Sequence, residues 1–194
     1  MSLAVNVGCG YDHRPGWVNV DAGGACDPDI ISPVELIDHH FEESSVDLLM
    51  ARHLLEHLAT YQLKKAIEAI WHVMKPDGEV IVITPYGDHP SAWADPDHRR
   101  AFYPESFLYW DRRIYWRSAP YGLWDFSIEK VELRPDVKRY NSNPLDGGML
   151  PEDLLRSVAK EMEVTLRAVK PERDPQPGVP PTIGDIPIYQ GRAM

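Results

Sequence analysis

The sequence predicts an α/β fold with a mostly parallel sheet. Short, nearly continuous apolar runs recur along the first half of the chain, which is typical of strands that are covered on both faces. Between two of these runs the apolar residues change to a helical spacing. A strand, a helix and a second buried strand in succession indicate a parallel sheet covered by helices.

The elements are predicted in chain order from these patterns. Strands are predicted over residues 3–7, 16–22, 45–51, 79–84, 126–134 and 163–169. A helix precedes the fourth strand, because four apolar residues share one helical face and Pro76 and Gly78 then end it; the four are Leu63, Ile67, Ile70 and Met74. Two more helices are predicted over 104–119 and 151–162, and no element is predicted over 170–187.

Composition and charge disfavour several classes of protein. The chain has 194 residues, of which 43% are hydrophobic and 26% charged, as in an ordinary globular domain. Its formal net charge of −10 makes nucleic acid an unfavourable partner, because the phosphate backbone is repelled. No run reaches the roughly 18 apolar residues of a membrane helix, and no signal peptide is recognised. We therefore expect a cytoplasmic protein with Cys9 and Cys26 as free thiols.

The turn after the first strand is a candidate ligand site. Gly8-Cys9-Gly10 follows that strand directly, and glycine lets a ligand come close to the backbone. Asp21 ends the second strand, where a carboxylate can accept hydrogen bonds from ribose hydroxyls. The dinucleotide fingerprint G-x-G-x-x-G is not met, because His13 stands at its third glycine. Each feature alone is also compatible with an ordinary turn, but together they favour a nucleoside.

Four segments in a fixed order resemble one enzyme family. They read VNVGCG, GWVNVDA, FEESSVDLLMARHLLEHL and VMKPDGEVIVITP. This string is similar to the class I SAM-dependent methyltransferases, and especially to a group of small methyltransferase domains, over roughly residues 3–107. The resemblance implies a Rossmann-like three-layer sandwich, with S-adenosyl-L-methionine (SAM) as cofactor across the ends of the first two strands.

The same resemblance assigns residues to SAM. Gly8 and Gly10 would approach its methionine part, Asp21 its ribose, and the segment after the third predicted strand would line the pocket near the methionyl group. The cofactor residues implied in this way are Gly8, Cys9, Gly10, Asp21, Arg52 and His53. The residue that meets the adenine stays open between Ser32, Glu35 and Asp38.

The first crossover departs from the usual pattern of the fold. Gly10 lies only six positions before Gly16, where the second predicted strand begins. A helix does not fit into this interval, so the sheet is predicted to be abbreviated between its first strands. This departure motivates an alternative function, a catalytically degenerate protein of methyltransferase fold that serves in binding or assembly.

The pentapeptide HLLEH, residues 53–57, matches the H-x-x-E-H signature of a class of zinc peptidases. That site needs both histidines one turn apart on one helix, together with a third ligand. His53 instead follows an apolar strand directly, and no third ligand is evident in the sequence. We expect no metal here. His53 is predicted at the rim of the pocket, and Glu56 is predicted to have a supporting role.

The segment 94–107 is the candidate acceptor site. The family group often carries a D-P-x-H…F-x-P-x-S-F segment here that covers the active site, which makes Asp95, Phe102 and Tyr103 candidates for acceptor contacts. His98 is the candidate catalytic base, since neutral imidazole takes a proton well near pH 7. The alternative is a turn with a solvated histidine.

The acceptor is predicted to be a small molecule or a glycan, methylated at oxygen. The resemblance does not extend to DNA amino-methylases, because their Asn/Asp-Pro-Pro-aromatic run is missing, and the Pro-Cys pair of cytosine methylases is absent. We expect residues 1–169 to form the methyltransferase-like domain and residues 170–194 a proline-rich tail. Aromatic residues expected on the surface, Trp110, Tyr115 and Trp116, permit a homodimer.

Overall fold

The computed structural model describes residues 2–113, 122, 124–136, 152–173 and 186–191. The strands are β1 (Ala4–Val7), β2 (Val18–Asp21), β3 (Ile30–Ile31), β4 (Val46–Arg52), β5 (Met74–Pro85), β6 (Phe126–Pro135), β7 (Ala159–Ala168) and β8 (Ile188–Gln190). The α-helices are α1 (Thr60–Val73), α2 (Ser91–Ala94) and α3 (Glu152–Val158). Short 3₁₀ helices cover Gly24–Cys26, Val34–His39, Leu55–His57 and Pro104–Trp110.

The described strands form one sheet in the order β3-β2-β1-β4-β5-β7-β6-β8. The first five strands in this order are mutually parallel. β7 runs antiparallel to both of its neighbours, and β8 is parallel to β6. The α/β, Rossmann-like, mostly parallel architecture predicted from the sequence is confirmed.

Helix α1 covers the central strands, as its apolar face predicted. Leu63, Ile67 and Ile70 are buried on it, together with Val73 at its last turn. The 3₁₀ helix Val34–His39 contributes Val34 and Ile37 to the same core. Burial of this apolar face supplies most of the stability of such a helix.

Two asparagines organise the abbreviated connection between β1 and β2. The Asn6 side chain donates to the carbonyl of Asp12 over 2.8 Å and to Asn19 Oδ1 over 3.2 Å. The Arg14 amide donates to the same oxygen of Asn19 over 2.8 Å. The turn that replaces a crossover helix is thus fixed by side-chain amides that are themselves buried, at 2% and 6% exposure.

Two predicted elements were wrong in part. The helix predicted over 151–162 ends at Val158, and the chain continues as β7, because residues 159–168 alternate in burial and pair with β5 and β6. The helix predicted over 104–119 is a 3₁₀ helix that ends at Trp110, and residues 114–119 lie outside the described residues. β8 pairs with β6 and lies beyond residues 170–187, for which no element was predicted.

The surface aromatics expected for a homodimer are also corrected. Trp110 is only 4% exposed, because it packs against Phe107 and Phe126 in the core. Tyr115 and Trp116 lie outside the described residues. Within the described part of the chain, no helix has the length and apolar character needed to cross a bilayer.

Candidate active site

The carboxyl ends of β1, β2 and β4 meet at one edge of the sheet. Val7 is paired in register with Val20 on one side and with Ala51 on the other. Since these strands are parallel, the residues that follow Val7, Val20 and Ala51 are neighbours at this edge. They are Gly8, Asp21 and Arg52. This is the edge at which open α/β sheets bind their ligands.

The turn after β1 and the Asp21 carboxylate form one unit. The Gly10 amide donates to Asp21 Oδ2 over 2.9 Å, and the Gly23 amide donates to Oδ1 over 2.8 Å. The Cys9 amide donates to the Val20 carbonyl over 3.1 Å, which ties the turn to β2. Asp21 stays half-buried, and each carboxylate oxygen keeps a further lone pair for a ligand.

The two glycines of the turn have different surroundings. Both have positive φ, +64° at Gly8 and +49° at Gly10, which favours glycine. A β-carbon at Gly8 would lie 2.8 Å from Leu54 Cδ1, whereas one at Gly10 would have nothing within 4 Å. The open space beside the turn therefore lies at Gly10, and the Cα of Gly8 is covered by Leu54.

His53 lies at the end of β4 between two carboxylates. Its Nδ1 is 3.3 Å from Glu56 Oε1, and its Nε2 is 2.9 Å from Glu161 Oε2. The hydrogen bond to Glu161, followed by that to Glu56, raises the pKa of His53 to about 9 against the opposing effect of burial. His53 is therefore an imidazolium at neutral pH. Its φ of +49° is unusual for a residue other than glycine, and such conformations cluster at functional sites.

Arg134 completes this network from β6. Its guanidinium donates to Glu161 Oε1 over 2.5 Å and also pairs with Glu163. Glu161 is only 2% exposed, and burial of its carboxyl group raises its pKa. The hydrogen bonds from His53 and Arg134 outweigh burial and leave the pKa of Glu161 below its usual range.

A cavity of about 480 Å³ opens beside this network. Its wall is formed by residues at the carboxyl ends of β4 and β5, by helix α2 and the turn after it, and by the first residues of β7. They are Arg52, His53, Pro85, Ser91, Ala94, Asp95, His98, Lys160 and Glu161. The wall combines cationic and anionic groups with the two imidazole rings of His53 and His98 at a single site.

His98 is anchored in this wall through one ring nitrogen. Its Nδ1 lies 3.0 Å from the carbonyl oxygen of Ala92, which can only accept a hydrogen bond. Nδ1 therefore carries the proton in the neutral ring, and Nε2 carries the lone pair. The side chain is 8% exposed and its Nε2 lies 3.9 Å from Asp95 Oδ2.

Comparisons with known proteins agree with this geometry. The model of the methyltransferase domain family matches residues 9–82. A SAM-dependent methyltransferase from Archaeoglobus fulgidus has a similar structure, with a TM-score of 0.60 and 14% identity over 86% of each chain. The chain has the Rossmann-like fold of class I SAM-dependent methyltransferases.

Two further structures have the same fold as this chain. The YcgJ protein from Bacillus subtilis gives a TM-score of 0.54 at 14% identity, over 89% of this chain and 93% of that one. A SAM-dependent methyltransferase from Mesorhizobium loti gives 0.53 at 15% identity, over 85% and 90%. No curated protein sequence matches the chain. These matches agree with SAM, the cofactor that the sequence predicted.

The structure brings together most of the residues predicted for the site of the methyltransferase. The turn Gly8–Gly10 lies against Asp21, and Arg52 pairs with Asp12 of the same connection over 3.4 Å. His53 and Arg52 share the cavity wall with Asp95 and His98. The residues predicted for the cofactor therefore border those predicted for the acceptor.

Two predicted acceptor contacts lie elsewhere. Phe102 is only 3% exposed and packs against Phe107 in the core, with ring centroids 5.6 Å apart, and it is not part of the cavity wall beside His98. The hydroxyl of Tyr103 donates to Asp88 Oδ1 over 2.9 Å, which raises its pKa. Tyr103 is not part of the cavity wall. It packs over Gly87 instead.

The three candidates for contact with the adenine lie in two different places in the structure. Ser32 is 4% exposed and its amide donates to the Asp21 carbonyl over 2.8 Å, so it lies beside the ribose candidate. Glu35 and Asp38 line a separate groove between the 3₁₀ helix Val34–His39 and α1.

The pentapeptide HLLEH does not form the helix of a zinc peptidase. His53 lies outside the 3₁₀ helix Leu55–His57, and both of its ring nitrogens are engaged by carboxylates. Glu56 is 1% exposed and holds His53, which agrees with the supporting role predicted for it.

Sequence analysis missed Glu161, Lys160 and Arg134. Glu161 and Lys160 fell at the end of a predicted helix, and the structure places them on β7 next to the end of β5. No local pattern marks them, because their neighbours in the site are remote in sequence. A charged residue at a core position of a strand would have been the available signal for Glu161.

Proposed function

We propose that the chain is a SAM-dependent methyltransferase that transfers the SAM methyl group to an oxygen of a small molecule or a glycan. The observation that carries the proposal is the shared cavity. It joins Arg52 and His53, on the side of the cofactor turn, to Asp95 and His98 on the other side. A methyl donor and an acceptor can therefore meet within one cleft.

The cofactor residues fit SAM. Asp21 faces the open side of Gly10 with lone pairs free for the two ribose hydroxyls. Backbone groups of Gly8, Cys9 and Gly10 would hold the methionine part, and the Arg52 guanidinium suits its carboxylate. SAM supplies an electrophilic methyl group on a sulfonium.

His98 is the proposed base. The acceptor oxygen attacks the methyl carbon, the carbon–sulfur bond breaks, and its electron pair stays on sulfur. The proton of the acceptor hydroxyl passes to Nε2 of His98, whose lone pair is fixed there by the Nδ1 hydrogen bond to Ala92. Alignment of the three reacting atoms supplies most of the acceleration in such a displacement.

The volume of the cavity and the net charge of the chain support this class of acceptor. A cavity of about 480 Å³ suits a small molecule or the end of a glycan. The net charge of −10 repels a phosphate backbone. Asp95, which is exposed at the cavity, is suited to accept a hydrogen bond from a second hydroxyl of a polyhydroxylated acceptor.

Turnover on a panel of acceptors tests the proposal. Purified protein is incubated with SAM and with sugars, glycans, phenols and amines, and S-adenosylhomocysteine is quantified. We expect product with hydroxylated acceptors and a large loss of rate in His98→Ala. Binding of SAM without turnover on any acceptor would favour the alternative of a degenerate binding protein, and turnover confined to amines would contradict methylation at oxygen.

A further inference from the structure

We propose that Glu56, His57 and His98 bind one divalent transition-metal ion, of which Zn²⁺ is the best match. We call these three residues the Glu56 cluster. The proposal goes beyond methyl transfer, because it requires neither SAM nor an acceptor. It differs from the expectation of no metal at HLLEH, and also from the zinc-peptidase site of the H-x-x-E-H signature, since His53 is not a ligand.

The spacing of the cluster suits one ion. The candidate ligand atoms of the three side chains all lie within 4.8 Å of one another. Two donors on a tetrahedral zinc ion lie about 3.3 Å apart, so small rotations of the side chains reach this spacing. The rings of His57 and His98 already meet edge to face, with centroids 4.6 Å apart.

Glu56 carries an oxygen that needs a partner. The residue is 1% exposed, and its Oε1 lies 3.3 Å from His53 Nδ1. Its Oε2 is buried and has no hydrogen-bond partner among the described residues. A buried carboxylate oxygen left unpaired is costly, and a cation between Oε2 and the two imidazoles removes this cost.

The ring of His98 is oriented as a ligand. Metal-binding histidines usually donate their second ring N–H to a carbonyl or carboxylate, which fixes the tautomer and aims the other nitrogen at the ion. His98 Nδ1 makes such a bond to the Ala92 carbonyl over 3.0 Å. Its Nε2 is left with a lone pair.

The backbone holds the two parts of the cluster together. Glu56 and His57 lie in the 3₁₀ helix Leu55–His57. The Arg99 amide donates to the Glu56 carbonyl over 2.7 Å, and the Arg100 guanidinium donates to the Leu58 carbonyl over 2.8 Å. The segment that carries His98 is thereby fixed against the segment that carries the other two ligands.

The donor set indicates the kind of ion. Two imidazoles and one carboxylate form the set found in zinc sites that leave a coordination position open. A bound ion occupies the Nε2 lone pair of His98, and the proposed methyl transfer needs that lone pair. Under the proposed function, the metal-free protein is therefore the form in which His98 acts as base.

Titration with Co²⁺ tests the proposal directly. The full chain is prepared without a histidine tag, treated with a chelator and titrated with Co²⁺ in the absence of SAM and acceptor. We expect one equivalent to bind with visible d–d absorption, to be displaced by Zn²⁺, and to shift the ring resonances of His57 and His98. The exposed His40 serves as the internal reference for those shifts.

Substitutions in the Glu56 cluster test which side chains bind the ion. We expect His57→Ala and Glu56→Gln each to weaken Co²⁺ binding by at least about tenfold, and His40→Ala to leave it unchanged. Cys9, His13 and Cys26 form a second candidate group, so the titrations are repeated in Cys26→Ser, and sulfur-to-cobalt charge-transfer absorption reports binding there. Absence of Co²⁺ binding by the wild type, or equal binding in His57→Ala and wild type, would overturn the proposal whatever the result of the turnover assay.

Discussion

The two halves of the sheet contribute to the active site in different ways. In the parallel half, which contains β1, β2, β4 and β5, site residues directly follow a strand and neighbouring strands align them. In the half formed by β6 and β7, Arg134 and Glu161 lie within strands and act across the sheet on His53. The first half therefore provides the cofactor turn, and the second half fixes the charge state of a residue in the cavity wall.

Because of this difference, the substitutions that affect binding or catalysis should be distinct from those that affect stability. Substitutions of side chains that face the cavity or the cofactor turn should change binding or rate and leave the fold intact. Substitutions at the contacts between elements should change stability or the titration of His53. The following predictions test this separation.

The largest expected effect is that of His98→Ala on turnover. Loss of the proposed base should lower kcat by about 10²–10⁴-fold with little change in the KM of SAM. The measurement is steady-state formation of S-adenosylhomocysteine in the presence of a chelator. His40→Ala is the matched control, and a kcat in His98→Ala close to that of the wild type would show that another group takes the proton.

The second prediction compares the two glycines of the cofactor turn. Substitution of either glycine by alanine should cost about 1–2 kcal/mol of stability, because a residue with a β-carbon is unfavourable at a positive φ. Gly8→Ala also clashes with Leu54, at 2.8 Å from Cδ1, which should add about 1–3 kcal/mol. Urea denaturation should therefore show the larger loss of unfolding free energy for Gly8→Ala. Leu54→Ala in the Gly8→Ala background should recover part of it, and equal losses at the two glycines would contradict the packing described here.

The third prediction concerns the titration of His53. Its pKa is raised from 6.5 to about 9 in the folded protein, so its contribution to stability is complete below 6.5 and is lost as the pH rises through about 9. Glu161→Gln removes the main cause of the shift, and the pKa should fall. Histidine ring resonances recorded against pH in the metal-free protein measure it. The side chain of His53 is 39% exposed, so the change in stability should be small, and an unchanged pKa in the variant would contradict the network.

The smallest expected effect is a difference in thiol reactivity. Cys9 is 4% exposed, and burial raises its pKa to about 11, whereas Cys26 is half-buried. Since the thiolate is the reactive form, iodoacetamide near pH 8 should modify Cys26 first. Peptide mapping by mass spectrometry measures this, with denatured protein as control. Faster labelling of Cys9 would show that the turn after β1 opens in solution.

The sequence predicted the parallel half well because its signals are local. Apolar runs end in Gly8–Gly10 and in Asp21, and parallel pairing then brings the two ends together without further information. Helix α1 followed from its apolar face in the same way.

The second half was harder to predict for a physical reason. Residues 159–162 follow a helix without a breaker, and only pairing with β5 and β6 makes them a strand. The role of Glu161 depends on His53, which is 108 positions away in the sequence. The burial of Phe102 likewise depends on packing against Phe107 that the acceptor motif does not encode.

Calorimetric titration of SAM into wild type and Asp21→Ala tests the central claim most directly. Asp21 lies against Gly10 with lone pairs free for the ribose, and hydrogen bonds to a charged group contribute about 1.5–3 kcal/mol. We predict affinity at least about tenfold weaker in the variant, with an unchanged circular dichroism spectrum. Equal affinities for SAM in the two folded proteins would contradict the assignment of this edge of the sheet to the cofactor.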